Sequence, residues 1–222
     1  KQLFAQITNP AIDPIREELV MSLMTFVGSL GNVLTETPQQ SRLIKLKHPI
    51  LSNEDLERMR TLNKKEFSSV TLQMGFPAGG SGEELEEALE QMCRAAASSV
   101  TNGYQLIILS DRNLPQNLVP IPALLAVSAV NQHLIAQGLR MSAGLIVETA
   151  EAREVHHMAL LLGFGATAIN PYLAFEIIAD MALRQTLSSP ISVTKALENY
   201  IKAIRKGLMK IMSKMGISTL RS

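Results

Sequence analysis

Two parts of this sequence bring acids, bases and imidazoles close enough to suggest chemistry. The first is spread over the ends of four apolar runs: Asp111 and Arg112, Glu148 and Glu151, and Asn170. Parallel sheets bind ligands beyond the carboxyl ends of their strands, so these groups could converge if the runs are neighbouring parallel strands. The competing reading is a turn, Ser110-Asp111-Arg112, held by an ion pair between its own acid and base. The second part is Glu151-Ala152-Arg153-Glu154-Val155-His156-His157. Adjacent helical residues diverge by about 100°, so His156 and His157 cannot face one ion, and no His-Glu-x-x-His order is present. Glu151 stands at a poor i, i+5 spacing from His156. These spacings suit an acid-capped helix with one histidine buried or at an interface.

Other candidates are weaker. Phe76-Pro77-Ala78-Gly79-Gly80-Ser81-Gly82 follows an apolar run and opens a helix, as a phosphate cradle does. It lacks the Gly-Lys-Ser/Thr ending, and Glu83, Glu84, Glu86 and Glu87 would repel a phosphate while suiting the helix dipole. Cys93 lies among Leu89, Met92 and Ala96, where a thiol acts as a small apolar group and only Arg94 could activate it. A single cysteine excludes an internal disulfide and fits a reducing compartment.

The elements that would carry these residues alternate. Strands are predicted over Ser68 to Met74, Gln105 to Ser110, Met141 to Thr149 and Ala166 to Asn170, and helices over Glu83 to Thr101, Pro120 to Gln137, Ala150 to Leu162 and Pro171 to Arg184. Strand–helix alternation with short connections gives an α/β fold with parallel strands and right-handed crossovers, in a doubly wound sheet or a barrel. Four such units are half of an eightfold barrel. Before them, Asp13-Pro14 with Glu17 and Glu18 starts a helix whose apolar face runs through Ile15, Leu19, Leu23 and Phe26 to Gly28. Ile44 and Leu46 alternate with lysines as a short strand, and Ser52 or Asn53 caps a helix through Arg60. Pro190 and Ser192 precede a long helix, Val193 to about Met215, basic on one side, with Leu197, Ile201, Ile204, Leu208 and Ile211 on the other. The expected organisation is an N-terminal loop, helix and linker arm over 1–66, a βα-repeat domain over 67–190, and a helical segment over 191–222.

Composition is that of a globular chain: 46% hydrophobic, 18% charged, without tryptophan. A net charge of +1 gives no global field toward nucleic acid or anionic lipid. The N-terminus lacks a signal peptide's apolar core, and Leu118 to Val130 is too short and proline-rich to span a bilayer, which takes about 20 residues. A soluble protein is expected, and a start at Lys1 without Met suggests a fragment.

Five strings carry a resemblance to a known family. They are Thr8-Asn9-Pro10-Ala11-Ile12-Asp13-Pro14-Ile15-Arg16-Glu17, Ile121-Pro122-Ala123-Leu124-Leu125-Ala126-Val127, the Glu151 to His157 string, Asn170-Pro171-Tyr172-Leu173-Ala174-Phe175-Glu176, and Asn199-Tyr200-Ile201-Lys202-Ala203-Ile204 leading to Ser213-Lys214-Met215-Gly216-Ile217-Ser218-Thr219. Over nearly its whole length the chain resembles the central domain of the glutamate synthase large subunit, running into the start of the FMN-binding synthase domain. Asn131-Gln132-His133 stands where the family tends to have a run of histidines, and Ala150 where a glycine is expected. The first departure weakens any catalytic role for that cluster.

The resemblance implies a rudimentary half (β/α)8-like barrel, lying between an amidotransferase domain that releases ammonia from glutamine and an FMN domain that uses it with 2-oxoglutarate to form glutamate. It implies that Thr8, Asn9, Pro10, Ala11 and Asp13 help line the ammonia tunnel. Amidotransferase chemistry needs an N-terminal cysteine, and the synthase part needs FMN and the cysteines of an iron–sulfur cluster. With Cys93 alone, no catalytic, cofactor-binding or metal site is expected within this chain. The expected partners are the amidotransferase and FMN domains of the same enzyme, with neither nucleic acid nor membrane, in the cytoplasm or, in a photosynthetic eukaryote, the plastid stroma. Competing functions are a stand-alone flavin- or phosphate-binding half-barrel enzyme, which would carry flavin absorbance, and an interaction module self-associating through the last helix, which light scattering would detect.

Overall fold

The computed structural model describes residues 13–32, 34–62, 67–187 and 189–221. In chain order these form α1 (Pro14–Val20), β1 (Thr25–Val27), a 3₁₀ turn (Pro38–Ser41), β2 (Ile44–Leu46), α2 (Asn53–Arg60), β3 (Ser69–Gln73), β4 (Gly75–Pro77), α3 (Gly82–Thr101), β5 (Leu106–Ser110), β6 (Leu118–Pro120), α4 (Ala123–Ala136), a second 3₁₀ turn (Arg140–Ser142), β7 (Gly144–Glu148), α5 (Val155–Gly163), β8 (Ala168–Asn170), α6 (Tyr172–Leu183) and α7 (Val193–Met215).

The centre is a parallel sheet in the order β3-β5-β7-β8, each strand beside the next in the chain. Sequential order is the signature of a barrel rather than a doubly wound sheet, whose order reverses. Side chains alternate across a strand, and the sheet sorts its apolar residues accordingly. Ile107, Leu109, Leu145, Val147 and Ile169 join the helical layer on the convex side, while Leu106, Ile108, Ile146 and Ala168 face the concave side.

In a complete barrel the concave face would meet four more strands. Here Val27, Leu51, Leu56 and Met59 fill it, all from the segment before β3. That segment also pairs with the sheet, since Ile169 N donates to Pro49 O at 2.7 Å and Leu51 N to Ile169 O at 2.8 Å, which covers the outer edge of β8.

Three boundaries differ from the sequence expectation. The first helix ends at Val20, not near Phe26, because Ser22 bridges Thr219 and residues 25–27 pair with β2, burying Leu23 and Val27. Its expected apolar face is turned outward, with Ile15 80% and Leu19 83% exposed, while Glu17 is buried and bonds Lys210. The helix after β7 begins at Val155 rather than Ala150, since Thr149, Ala150 and Glu151 are tied to neighbouring units. Thirdly, β4 and β6 form an antiparallel ribbon from the loops after β3 and β5. Neither of these three-residue strands alternates apolar and polar residues as Ile44 and Leu46 do with their lysines, so periodicity left both unmarked.

The long helix α7 runs from Val193 to Met215, Ser192 capping its start and Gly216, at φ 71°, its end. Its apolar face is covered within the chain. Ile204, Leu208, Met209 and Met212 are buried in the main core, and α7 lies against α5 and α6. Gly207 allows the close approach to α5, where a Cβ would fall 2.4 Å from Val155 Cγ2.

Candidate functional site

Barrel chemistry belongs at the carboxyl ends of the strands, and the register brings Gln73, Ser110, Glu148 and Asn170 into one row there. By alternation from the inward-facing Leu106 and Ile108, Ser110 points into the concave side, as do Glu148 and Asn170. The segment before β3 closes over them. Arg60, at the end of α2, donates to Glu148 Oε2 at 2.6 Å, and Ser110 Oγ donates to the same oxygen at 2.5 Å. Glu148 Oε1 faces Arg112 Nη1 at 3.5 Å. Asn170 Nδ2 donates to Leu51 O at 3.0 Å and to Asn53 Oδ1 at 2.9 Å. Glu148 is 1% exposed and Asn170 is fully buried, and both bond their own chain, through Glu148 Oε2 and Asn170 Nδ2, while Glu148 Oε1 and Asn170 Oδ1 accept no hydrogen bond among the described residues.

A second knot lies one residue further along. The Asp111 carboxylate accepts from Thr149 Oγ1 at 2.6 Å and from Ala150 N at 3.0 and 3.1 Å, and the Tyr172 phenol is near enough to interact with it. The expected Asp111–Arg112 pair is replaced, because Arg112 turns to Glu176 Oε1 at 2.6 Å and to Glu148 while lying 4.8 Å from the Tyr172 ring centroid. The loops after β5 and β7 are thereby fastened to the start of α6. Burial pushes the Asp111 carboxyl above the usual range despite its hydrogen bonds, and pushes the Tyr172 phenol up with help from Asp111.

A carboxyl whose folded value is raised contributes stability that is full below its unfolded value and is lost as pH rises through the folded one. The stability advantage of the wild type over Asp111→Asn should therefore shrink from about pH 4 upward, an ordinary aspartate titrating near 3.9. Urea unfolding across that range measures it. A growing advantage at higher pH would contradict this environment.

The histidine-bearing string is also built into the frame. Glu151 Oε2 accepts from Ala123 N at 2.8 Å, capping α4, whose own Pro122 offers no side-chain cap. His157, half-buried, accepts at Nδ1 from Arg153 N and Glu154 N at 3.4 Å, while His156 is exposed. Tyr200 donates to Arg153 O at 2.9 Å and meets Phe175 edge-on, and burial pushes its phenol up to about 12. Cys93 is buried, with its thiol pushed up by burial. No group of three or more His, Cys, Asp or Glu among the described residues could hold a metal ion, and no helix among them is long and apolar enough to cross a membrane.

The glycine-bearing loop after β4 closes on itself. Ser81 Oγ accepts from Glu84 N and Glu84 Oε2 accepts from Ser81 N, so the amides a phosphate would need already have partners. These strand ends do not suit a flavin phosphate, because they present the Glu148 carboxylate, already held by Arg60, and an Asn170 amide nitrogen bound to Leu51 O and Asn53, and the glycine-rich turn after β4 is capped by an acid. Of the tunnel candidates, Thr8, Asn9, Pro10 and Ala11 lie outside the described residues. Asp13 caps α1, its Oδ1 accepting from Arg16 N at 2.9 Å.

Sequence reasoning found Glu148, Asp111 and Asn170 but not the partners that bind them. Ser110 was legible from strand parity. Arg60 and Asn53 come from a segment whose position over the sheet leaves no local signal.

A mutant flavocytochrome b2 with benzoylformate is similar in fold, with a TM-score of 0.50 at 13% identity, covering 76% of this chain and 36% of that one. In sequence, the chain is 46% identical over 222 residues to the glutamate synthase [NADPH] large chain of Bacillus subtilis (strain 168), covering all of this chain and 14% of that one. It is 39% identical over 224 residues to the glutamate synthase [NADH] of Schizosaccharomyces pombe, of which it spans 11%, and 42% identical over 232 residues to ferredoxin-dependent glutamate synthase 1 of Arabidopsis thaliana, of which it spans 14%. It thus spans about a seventh or less of these relatives. The model of the glutamate synthase central domain matches all of residues 1–222, and the chain belongs to that family.

Proposed function

We propose that this chain acts within a glutamate synthase as a non-catalytic frame between an amidotransferase domain and an FMN domain, in an enzyme that forms glutamate from glutamine and 2-oxoglutarate. The observation that carries this reading is the closed mouth of the half-barrel. Glu148, Ser110 and Asn170 hold Arg60, Leu51 and Asn53 rather than facing an open cleft. FMN and an iron–sulfur cluster belong, in this reading, to other parts of the enzyme, which works in the cytoplasm or in a plastid. The segment matches relatives named for NADPH, NADH and ferredoxin at 46%, 39% and 42% identity, which supports a role shared by all three rather than choice of electron donor.

In the same reading Thr8, Asn9, Pro10, Ala11 and Asp13 border the passage for ammonia. Small and amide side chains would pass a neutral molecule without trapping it as ammonium, and the Asp13 cap fixes where α1 begins. The test is Thr8→Trp or Asn9→Trp in an intact glutamate synthase. Glutamine hydrolysis is expected to outrun glutamate formation, with free ammonia appearing in solution. A stoichiometry unchanged from wild type in both variants would end the proposal.

A further inference from the structure

At the amino-terminal end of the half-barrel, opposite the closed polar row, lies a cavity of about 690 Å³ between β1, the start of β7, the α5–β8 loop and the C-terminal turn. Its walls are mostly apolar, with Phe26, Leu162, Ile217 and Leu220 among them. Two guanidiniums, Arg140 and Arg221, complete the lining, and no described lining residue is an acid.

Arg140 is held by neutral groups. Its Nε donates to Asn131 Oδ1 at 2.6 Å, Nη1 to Ala143 O at 2.8 Å, and Nη2 to Gly165 O at 2.7 Å and Thr167 Oγ1 at 3.5 Å. A guanidinium has five N–H donors, so one on Nη1 is left without a protein acceptor among the described residues. Arg221 donates from Nη2 to Phe26 O at 3.1 Å. Neither pairs with a carboxylate among the described residues, whereas Arg60 and Arg112 at the other end of the barrel each hold two. Burial lowers the Arg140 pKa first, and repulsion from Arg221 lowers it further. Charges withdrawn from water are normally paired, and of the two this bears on Arg140, since Arg221 is exposed.

We propose that this cavity binds a carboxylate carried on an apolar body, with Arg140 and Arg221 as its cationic partners. Apolar walls with a few convergent polar groups are the usual make-up of a small-ligand site. Arg140 retains a single donor, which suits a monoanion; a phosphate would call for more. Two sources share this chemistry: an acidic side chain from elsewhere in the same large chain, and a free apolar carboxylic acid.

The test uses an intact glutamate synthase large chain containing this segment. Its structure is determined by electron cryomicroscopy, and saturation-transfer NMR with hexanoate is recorded on the wild type and on Arg221→Met, a change at an exposed side chain. A carboxylate of the enzyme within hydrogen-bond distance of Arg140 or Arg221 assigns the site to the chain itself. A cavity without such an acid, together with a hexanoate signal that falls about tenfold in the variant, assigns it to a free acid. Any other filling of the cavity, or an open cavity with the same hexanoate signal in both proteins, overturns the proposal.

Discussion

Glu148→Leu should cost about 3 kcal/mol or more of local stability, because removing one partner of a buried pair strands the other. Glu148 is nearly inaccessible and takes Arg60, Ser110 and Arg112 around one carboxylate, so the substitution strips Arg60 of its buried acid and leaves it only the more exposed Glu57 of its own helix. Replacing both charges should be milder than replacing one, since a buried ion pair and a well-packed apolar pair are often close in stability. The expected order is therefore Glu148→Leu worst and the double variant Glu148→Leu with Arg60→Leu recovering much of the loss. Hydrogen exchange at the β5 and β7 amides of an intact large chain reads this locally, where a whole-enzyme melting temperature would mix several domains. About 3 kcal/mol corresponds to roughly a hundredfold fall in protection. A single variant no worse than the double would show that Glu148 is not bearing the Arg60 charge.

That expectation depends on something only half legible from the sequence. Three of the four parallel strands, β5, β7 and β8, are buried on both faces, which leaves runs such as Leu106-Ile107-Ile108-Leu109 without alternation, while the edge strand β3 is partly exposed and mixes Val70 and Leu72 with polar residues. Helix starts were readable where a local group decides them: Ser52, one of two candidate caps, before α2, and Ser192 before α7. Where distant residues decide, local pattern failed. Ile15, Leu19, Leu23 and Phe26 keep helical spacing, yet pairing of β1 with β2 ends the helix at Val20. The start of α5 moved for the same reason, because Asp111 claims Thr149 and Ala150 from another unit. The last helix carries an apolar face whose partners, α5 and α6, lie in earlier units, so its cover could not be seen from its own residues. The same applies to the acids: their types and positions were visible, but Arg60, which holds Glu148, comes from a segment brought over the sheet by tertiary packing, and Thr149 and Ala150, which hold Asp111, come from the next unit.

Gly165→Ala should be comparably damaging at the other end of the barrel, for two separable reasons. Gly165 has φ +117°, a conformation that L side chains rarely adopt, and an added Cβ would sit 2.3 Å from Asn131 Cγ. Asn131 cannot simply move aside. Its Oδ1 accepts from Arg140 Nε at 2.6 Å, and Arg140 in turn holds Gly165 O at 2.7 Å, so the clash pushes against the group that fixes the glycine itself. Overpacking typically costs about 1–3 kcal/mol, and a strained backbone conformation a further 1–3 or so. Adding Asn131→Ala to Gly165→Ala removes the steric part but leaves the backbone part and the freed Arg140 donor, so the double variant should regain only a fraction of the loss. Hydrogen exchange in the strands β7 and β8 measures each arm of the cycle, with a coupling of at least about 1 kcal/mol expected between residues in direct contact. Strict additivity of the two substitutions would mean that Asn131 yields freely. In that case Arg140 would be held at the bottom of the half-barrel chiefly by the carbonyls of Ala143 and Gly165.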